Sequence, residues 1–191
     1  RHPSVMYELM RPFWWQHLDE GWIHRHAAYE LLARPNRLAE LDLPERYIAA
    51  KFYFNDCFPE TDRNRAFARD VITRLAQRSP VVSLSAGIAL DDHGACAVDA
   101  DGVIHVGGVA PTRNLHVQTV VVAHAQEFVG TYGGFAYLAP FFGVRSTSYY
   151  DQADGYARSH LRMAQSAFQA IGAGALLHLQ PTSEISPGEW K

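Results

Sequence analysis

The chain has 191 residues, of which 48% are hydrophobic and 19% charged. This composition is ordinary for a globular protein, and the length suits one α/β domain with an appendage. The formal net charge is −3 and the basic residues are scattered, which argues against binding to nucleic acid or to an anionic membrane surface. No apolar run reaches the roughly 18 residues of a transmembrane helix, and no signal peptide is recognisable. Cys57 and Cys96 suggest no disulfide framework, so we expect free thiols in the cytoplasm.

The first part of the chain is rich in aromatic residues. Its pattern predicts a helical segment over residues 4–34, followed by a polar connector over residues 35–44. The aromatic side chains either pack on the rest of the chain or form an interface, which would suit a homo-oligomer or a further domain. The predicted organisation is a helical segment with connector (1–40), a main domain (41–180) and a loosely held C-terminal tail (181–191).

Segments typical of strands and helices alternate through the main domain. Short apolar, β-branched or aromatic runs predict strands at residues 47–54, 81–85, 103–106, 128–129, 144–150 and 175–179. Apolar residues at helical spacing predict helices at residues 61–77, 114–125 with Asn114 as N-cap, 134–143 and 154–170. This alternation predicts a mostly parallel sheet with helices on both faces. In such sheets, ligands bind outside the carboxyl ends of the strands.

A glycine-rich stretch, Gly-Thr-Tyr-Gly-Gly at residues 130–134, follows the fourth predicted strand and precedes a helix. A helix N-terminus attracts phosphate because its backbone N–H groups are free, and glycine lets a ligand approach the backbone closely. We interpret the stretch as a diphosphate cradle in which Gly133 and Gly134 donate N–H groups and Thr131 donates a hydroxyl. It matches neither the dinucleotide nor the P-loop motif, and the alternative is a purely structural turn.

Three other polar residues belong to the same predicted edge of the sheet. Lys51, near the end of the first strand, either meets a ligand phosphate or extends its ammonium group to a solvated edge. Asp92 and His93 follow the second strand and offer a substrate contact, a general base or a metal ligand, unless they belong to a solvated loop. The Asp-Ala-Asp sequence at residues 99–101 precedes Gly102, which favours a turn. The ten histidines have no metal-ligand spacing, so we expect no metal.

In order and motifs, the chain resembles the C-terminal, donor-binding half of bacterial glycosyltransferases of the GT-B type over roughly residues 47–179. The resemblance rests on KFYF…FP, VVSLSAG…DDH, NLHVQTVVVAHAQEFVGTYGG, LAPFFGV and a late helix with His160-Leu161. It implies a Rossmann-like fold and a nucleoside-diphosphate sugar as substrate, with no separate cofactor. The predicted donor-binding residues are Lys51, Tyr53, Asp92, His93, Gly107, Gly108, Asn114, Thr131, Tyr132, Gly133 and Gly134.

The sequence also departs from that family. The related heptosyltransferases have an acid and a histidine in the turn at residues 131–135. The resemblance also does not extend to their N-terminal acceptor domain, which normally supplies the catalytic base. We therefore expect the donor-binding domain of a metal-independent glycosyltransferase acting in bacterial polysaccharide or glycoconjugate synthesis, which works with an acceptor domain or partner chain. No catalytic residue is assigned. The alternatives are a non-catalytic α/β interaction module and a domain similar to nucleotide-sugar epimerases.

Overall fold

The computed structural model describes residues 20–84, 94–107 and 109–185. The α-helices are α1 Glu20–His26, α2 Asp62–Ala76, α3 Pro111–His124, α4 Gly134–Phe141 and α5 Arg158–Ala170. The strands are β1 Ile48–Lys51, β2 Tyr53–Phe54, β3 Val81–Ser83, β4 Gly94–Ala95, β5 Val103–His105, β6 Glu127–Thr131, β7 Arg145–Tyr150 and β8 Leu177–Pro181. Short 3₁₀ helices occupy Ala153–Gly155, Gly174–Leu176 and Thr182–Glu184.

Six of the strands form one parallel sheet in the order β5-β3-β1-β6-β7-β8, and β2 pairs with β4 in a small antiparallel ladder. Counted along the chain, the six strands of the main sheet have the order 3-2-1-4-5-6, which is that of the Rossmann fold. The order reverses between β1 and β6, where Lys51 lies opposite Gly130. The predicted Rossmann-like α/β fold is confirmed.

Local sequence accounts well for helix α2. The side chain of Thr61, the N-cap residue, accepts a hydrogen bond from the backbone N–H of Asn64, and Asp62 lies in the positively polarised first turn. Val71 and Ile72 lie on the buried face of the helix, because the hydrophobic residues recur at helical spacing. The helix predicted over residues 61–77 is therefore confirmed.

The predicted strand over residues 47–54 is divided between two ladders. Residues Ile48–Lys51 belong to the main sheet, whereas Tyr53 and Phe54 pair with β4. The division occurs at Tyr53, whose backbone bonds to the Thr131 hydroxyl. The hydroxyl accepts a hydrogen bond from the Tyr53 N–H at 3.1 Å and donates one to the Tyr53 C=O at 2.8 Å. A side chain of β6 therefore takes the place that ladder bonds would have at Tyr53, and β1 ends at Lys51.

The helical segment predicted over residues 4–34 ends at His26, earlier than expected. Residues 4–19 lie outside the described part of the chain, and residues 27–34 are not helical, so the prediction is wrong for 27–34. There the backbone N–H of Leu32 donates to the C=O of Phe141, and the Arg34 side chain donates to the C=O of Phe142. These bonds satisfy carbonyl groups at the C-terminal end of α4, and they outweigh the weak local preference for a helix.

Two smaller boundaries also differ from the prediction. Helix α3 begins at Pro111, a residue suited to the first helical position, so Asn114 lies inside the first turn and is not the N-cap. At the other end of the chain, β8 continues to Pro181, and Thr182 is buried and donates to Asp151. The described part of the predicted tail is therefore held by the sheet edge, while residues 186–191 lie outside the described residues.

Candidate functional site

The candidate site lies outside the carboxyl ends of β1 and β6, where the strand order reverses. In open parallel sheets, this reversal opens a crevice between the loops that follow the two strands. Lys51 ends β1, Thr131 ends β6, and Gly133 and Gly134 lead from β6 into α4. The fold thus brings together predicted site residues that are about 80 positions apart in the sequence.

The start of α4 presents free backbone donors to this crevice. The N–H of Ala136 bonds to the C=O of Gly133, but those of Gly134 and Phe135 have no partner among the described residues. The first turn, Gly-Phe-Ala-Tyr, carries no acidic side chain. Unpaired N–H groups at the positive end of a helix dipole favour an anion at this position.

Lys51 places a positive charge beside the same helix end. Its ammonium group lies 4.1 Å from the ring centroid of Phe135, a residue in the first turn of α4. It also donates to Oε1 of Gln118 at 2.9 Å. The ammonium group and the helix N-terminus repel one another electrostatically, and an anion placed between them would relieve this repulsion.

Gln118 connects Lys51 to Asn114 through a buried pair of amides on α3. Gln118 Nε2 donates to Asn114 Oδ1 at 2.8 Å, and the residues are 3% and 8% exposed. Asn114 was predicted to bind the donor, and the structure gives it this internal partner. Gln118 was not among the predicted site residues. A glutamine four residues after Asn114, on a helix face that also carries valines, nevertheless indicates a buried pair of polar side chains.

The two hydroxyl groups of the glycine-rich stretch have internal partners. Thr131 is 1% exposed, and its single proton is donated to the backbone of Tyr53. Tyr132 is buried, with its hydroxyl against that of Tyr137 and its ring edge-on to Tyr156. Burial, with the contact to Tyr137, raises the pKa of Tyr132 far above its usual range. In this arrangement the hydroxyls hold the shape of the turn, and ligand contacts would come from the backbone.

The three glycines of the stretch have different surroundings. A Cβ on Gly130 would overlap the backbone carbonyl of Lys51, and a Cβ on Gly133 would overlap the Tyr53 hydroxyl. A Cβ on Gly134 would meet nothing within 4 Å. Glycine is therefore required at position 130 by the neighbouring backbone, and at position 133 a larger residue must displace the Tyr53 side chain. The open space beside Gly134 leaves room for a ligand.

Of the four remaining predicted residues, the structure describes Gly107 alone. Gly107 follows the edge strand β5 and has open space around it. Asp92, His93 and Gly108 lie outside the described residues. Their contribution to donor binding stays a prediction.

Beside the crevice, the loop after β7 is tied to the loop after β2. The Asp151 N–H donates to the C=O of Cys57 at 2.7 Å, and the Asp151 carboxylate accepts from Thr182 at 3.0 Å and from Asn64 at 3.3 Å. Burial raises the pKa of the Cys57 thiol to about 11, so this cysteine is not a poised nucleophile. This cluster joins three loops at the carboxyl edge of the sheet and keeps their backbones in place.

A separate groove of about 940 Å³ lies along β6, β7 and β8 beside α2. Arg78, Arg145 and His178 line it together with Val129 and Tyr149, and its lining includes none of the predicted donor-binding residues. Most of the side chains that β7 and β8 contribute to it are polar, as on a solvated sheet face. A substitution of Arg145 therefore removes a positive charge from the protein without changing the candidate site.

Neither a metal centre nor a membrane span occurs in the described ranges. Residues 20–84, 94–107 and 109–185 contain no group of three or more side chains arranged to bind a metal ion. Over the same part of the chain, no helix combines the length and the hydropathy needed to cross a bilayer.

The strand order defines the protein as a Rossmann-like α/β protein, and its candidate site lies at the topological switch point of the sheet. No family model matches the chain, and no curated protein or solved structure matches it either.

Proposed function

We propose that the crevice binds the diphosphate group of a nucleoside-diphosphate sugar. One observation carries this proposal: the Lys51 ammonium group lies beside the N-terminus of α4 at the switch point, and that N-terminus has no side-chain cap. Both groups attract an anion, and the open space beside Gly134 leaves the backbone accessible. A diphosphate offers the density of negative charge that this combination favours.

On this basis, the chain is the donor-binding domain of a metal-independent glycosyltransferase of the GT-B type, acting in bacterial polysaccharide or glycoconjugate synthesis. During transfer, the bond between the sugar carbon and the phosphate oxygen breaks, and negative charge grows on the departing diphosphate. Lys51 and the N–H groups of Gly134 and Phe135 would stabilise that charge. An acceptor hydroxyl would form the new bond to the same sugar carbon and give its proton to a catalytic base. The acceptor-binding site and that base would come from another domain or a partner chain. We place the activity in the cytoplasm, where the free thiols of Cys57 and Cys96 stay reduced.

Nucleotide titration tests the proposal directly. We expect saturable binding of one of UDP, GDP or ADP in calorimetry, and a loss of about 10-fold or more in affinity for Lys51→Met, since a charged hydrogen bond contributes about 1.5–3 kcal/mol. The matched control is Arg145→Met, which removes one positive charge from the separate groove and should leave affinity unchanged. Absence of binding by all three nucleotides, or a loss confined to Arg145→Met, would refute the proposal.

An exposed apolar pair supports an interaction module as the second candidate. Leu31 and Leu32 are 52% and 45% exposed in the segment that bonds to the end of α4. Adjacent exposed leucines favour contact with another chain. Sedimentation velocity tests this: the wild type should self-associate and Leu31→Asp should be monomeric. A monomeric wild type at all concentrations would exclude a homo-oligomer formed through this surface.

A further inference from the structure

We propose that Gln118 and Asn114 are positioning residues that fix the Lys51 ammonium group for contact with the donor diphosphate. This inference rests on the proposed function and adds two residues to it, one of which was absent from the sequence-based prediction. The three side chains form a continuous chain of hydrogen bonds from helix α3 to the end of β1, with Lys51 donating to Gln118 at 2.9 Å and Gln118 donating to Asn114 at 2.8 Å.

The direction of these bonds explains why both amides are needed. A glutamine amide can present either its oxygen or its NH₂ group, and only the oxygen can accept from an ammonium group. Asn114 Oδ1 accepts from Gln118 Nε2 and so holds the amide with Oε1 toward Lys51. The opposite orientation of Gln118 would place its NH₂ group against the Lys51 ammonium group and its oxygen against Asn114 Oδ1, so both partners favour the observed orientation.

Burial separates this role from direct contact with a ligand. Gln118 is 3% exposed and Asn114 is 8% exposed, so neither offers a polar surface to the crevice. Lys51 is partly exposed and extends over the ring of Phe135 at the start of α4. The lysine therefore meets the ligand, and the two amides restrict the positions that its flexible side chain can occupy.

The charge of the partner matters as well as its position. Gln118 is a neutral acceptor, so it holds the ammonium group without cancelling its positive charge. A glutamate at the same place would form an ion pair with Lys51 and would repel a diphosphate. The network thus predicts that Gln118→Glu weakens diphosphate binding, although it preserves the shape of the side chain and the acceptor for Lys51 and loses only the donor to Asn114.

The test compares two glutamine-to-glutamate variants that add the same charge at different places. Gln118→Glu lies against Lys51, whereas Gln180→Glu lies on the exposed face of β8, in the separate groove. For whichever of UDP, GDP or ADP the wild type binds, we expect Gln118→Glu to lower affinity about 10-fold or more. Affinity for the corresponding nucleoside, which lacks the phosphates, should change less than about 2-fold, and the dependence of nucleotide affinity on NaCl should weaken. Gln180→Glu should bind like the wild type.

Two further variants test positioning itself. Gln118→Met keeps the side-chain volume but removes the acceptor, and it should reproduce the nucleotide-selective loss with unchanged circular dichroism. Asn114→Leu should weaken nucleotide binding, while Asn114→Asp, which still accepts from Gln118, should restore part of it. A purely structural network would instead reduce nucleoside and nucleotide affinity together.

The possible outcomes separate this inference from the proposed function. If the wild type binds none of the three nucleotides, the proposed function fails and this inference fails with it. If the wild type binds one of them and Gln118→Glu and Gln118→Met bind it equally well, the inference alone is overturned. A nucleotide-selective loss in the Gln118 variants, with Gln180→Glu unchanged, supports both.

Discussion

The contact between Tyr53 and Gly133 constrains the shape of the candidate turn directly. The Tyr53 hydroxyl occupies the space that a Cβ on Gly133 would need, and it lies 3.5 Å from the C=O of Tyr132. The substitution Gly133→Ala therefore forces the tyrosine ring away from the turn. Because the obstruction is the far end of a side chain rather than backbone, the protein can relieve it by moving Tyr53.

The structure sets the expected size of this effect. Overfilling a packed site costs typically about 1–3 kcal/mol, and we expect about 2 kcal/mol for Gly133→Ala. In the Tyr53→Phe background the hydroxyl is gone, and the nearest ring atom to the new Cβ is Cζ at 3.1 Å, a contact that a shift of a few tenths of an ångström relieves. The double variant should thus recover most of the loss, which gives a coupling energy of about 1–2 kcal/mol.

Equilibrium unfolding in urea measures all four members of this double-mutant cycle. Gly134→Ala is the matched control, because a Cβ there meets nothing within 4 Å, and its free energy of unfolding should stay within about 0.5 kcal/mol of the wild type. Equal destabilisation by Gly133→Ala in the wild-type and Tyr53→Phe backgrounds would refute the reasoning, since it would mean that the hydroxyl does not occupy that space.

Three further predictions concern stability. Tyr47→Phe removes a buried donor to the C=O of Val121, 2.8 Å away, near the C-terminal end of α3; it should cost about 1 kcal/mol in urea unfolding, and no loss would contradict that bond. Thr61→Ala should cost about 1 kcal/mol by removing the N-cap of α2, while Thr61→Ser, which keeps the hydroxyl, should cost less; equal losses would argue against capping. Burial raises the pKa of Cys57 from 9.0 to about 11, so the unfolded state releases the thiol proton first. The free energy of unfolding should therefore be fully retained below pH 9.0 and should fall by up to roughly 3 kcal/mol as the pH rises to about 11. Unfolding of Cys57→Ala across this range should show a smaller fall, and an identical fall would exclude the thiol as its source.

Local pattern was sufficient for most elements of the fold. Helix α2 could be predicted because its cap, its hydrophobic spacing and its end signals all lie within one short segment. The buried strands could be predicted from short apolar runs, and their alternation with helices indicated a parallel sheet. The position of Lys51 on the first strand and of Gly134 at the start of α4 followed from the same local signals.

Local pattern failed where a distant hydrogen bond overruled it. Residues 27–34 have good helix formers, but Leu32 bonds to Phe141 instead of continuing the helix. The apolar run over residues 47–54 suggested one strand, but the Thr131 hydroxyl forms hydrogen bonds with both the N–H and the C=O of Tyr53 and so interrupts the ladder. Such partners are invisible to propensity, because propensity describes a residue and its near neighbours only.

The sequence by itself determined that this protein is an α/β protein with a glycine-rich turn between a buried strand and a helix. Only the tertiary structure decided the strand order, which sets that turn beside Lys51. It also decided that the Tyr53 hydroxyl lies against Gly133 and that the Thr131 hydroxyl donates to the backbone of Tyr53. The hydrogen bond from Lys51 to Gln118 was likewise decided by the tertiary structure. The physical reason is range: helix and strand preferences act over a few residues, whereas these contacts join groups 67 to 80 positions apart whose meeting depends on the packing of the whole sheet.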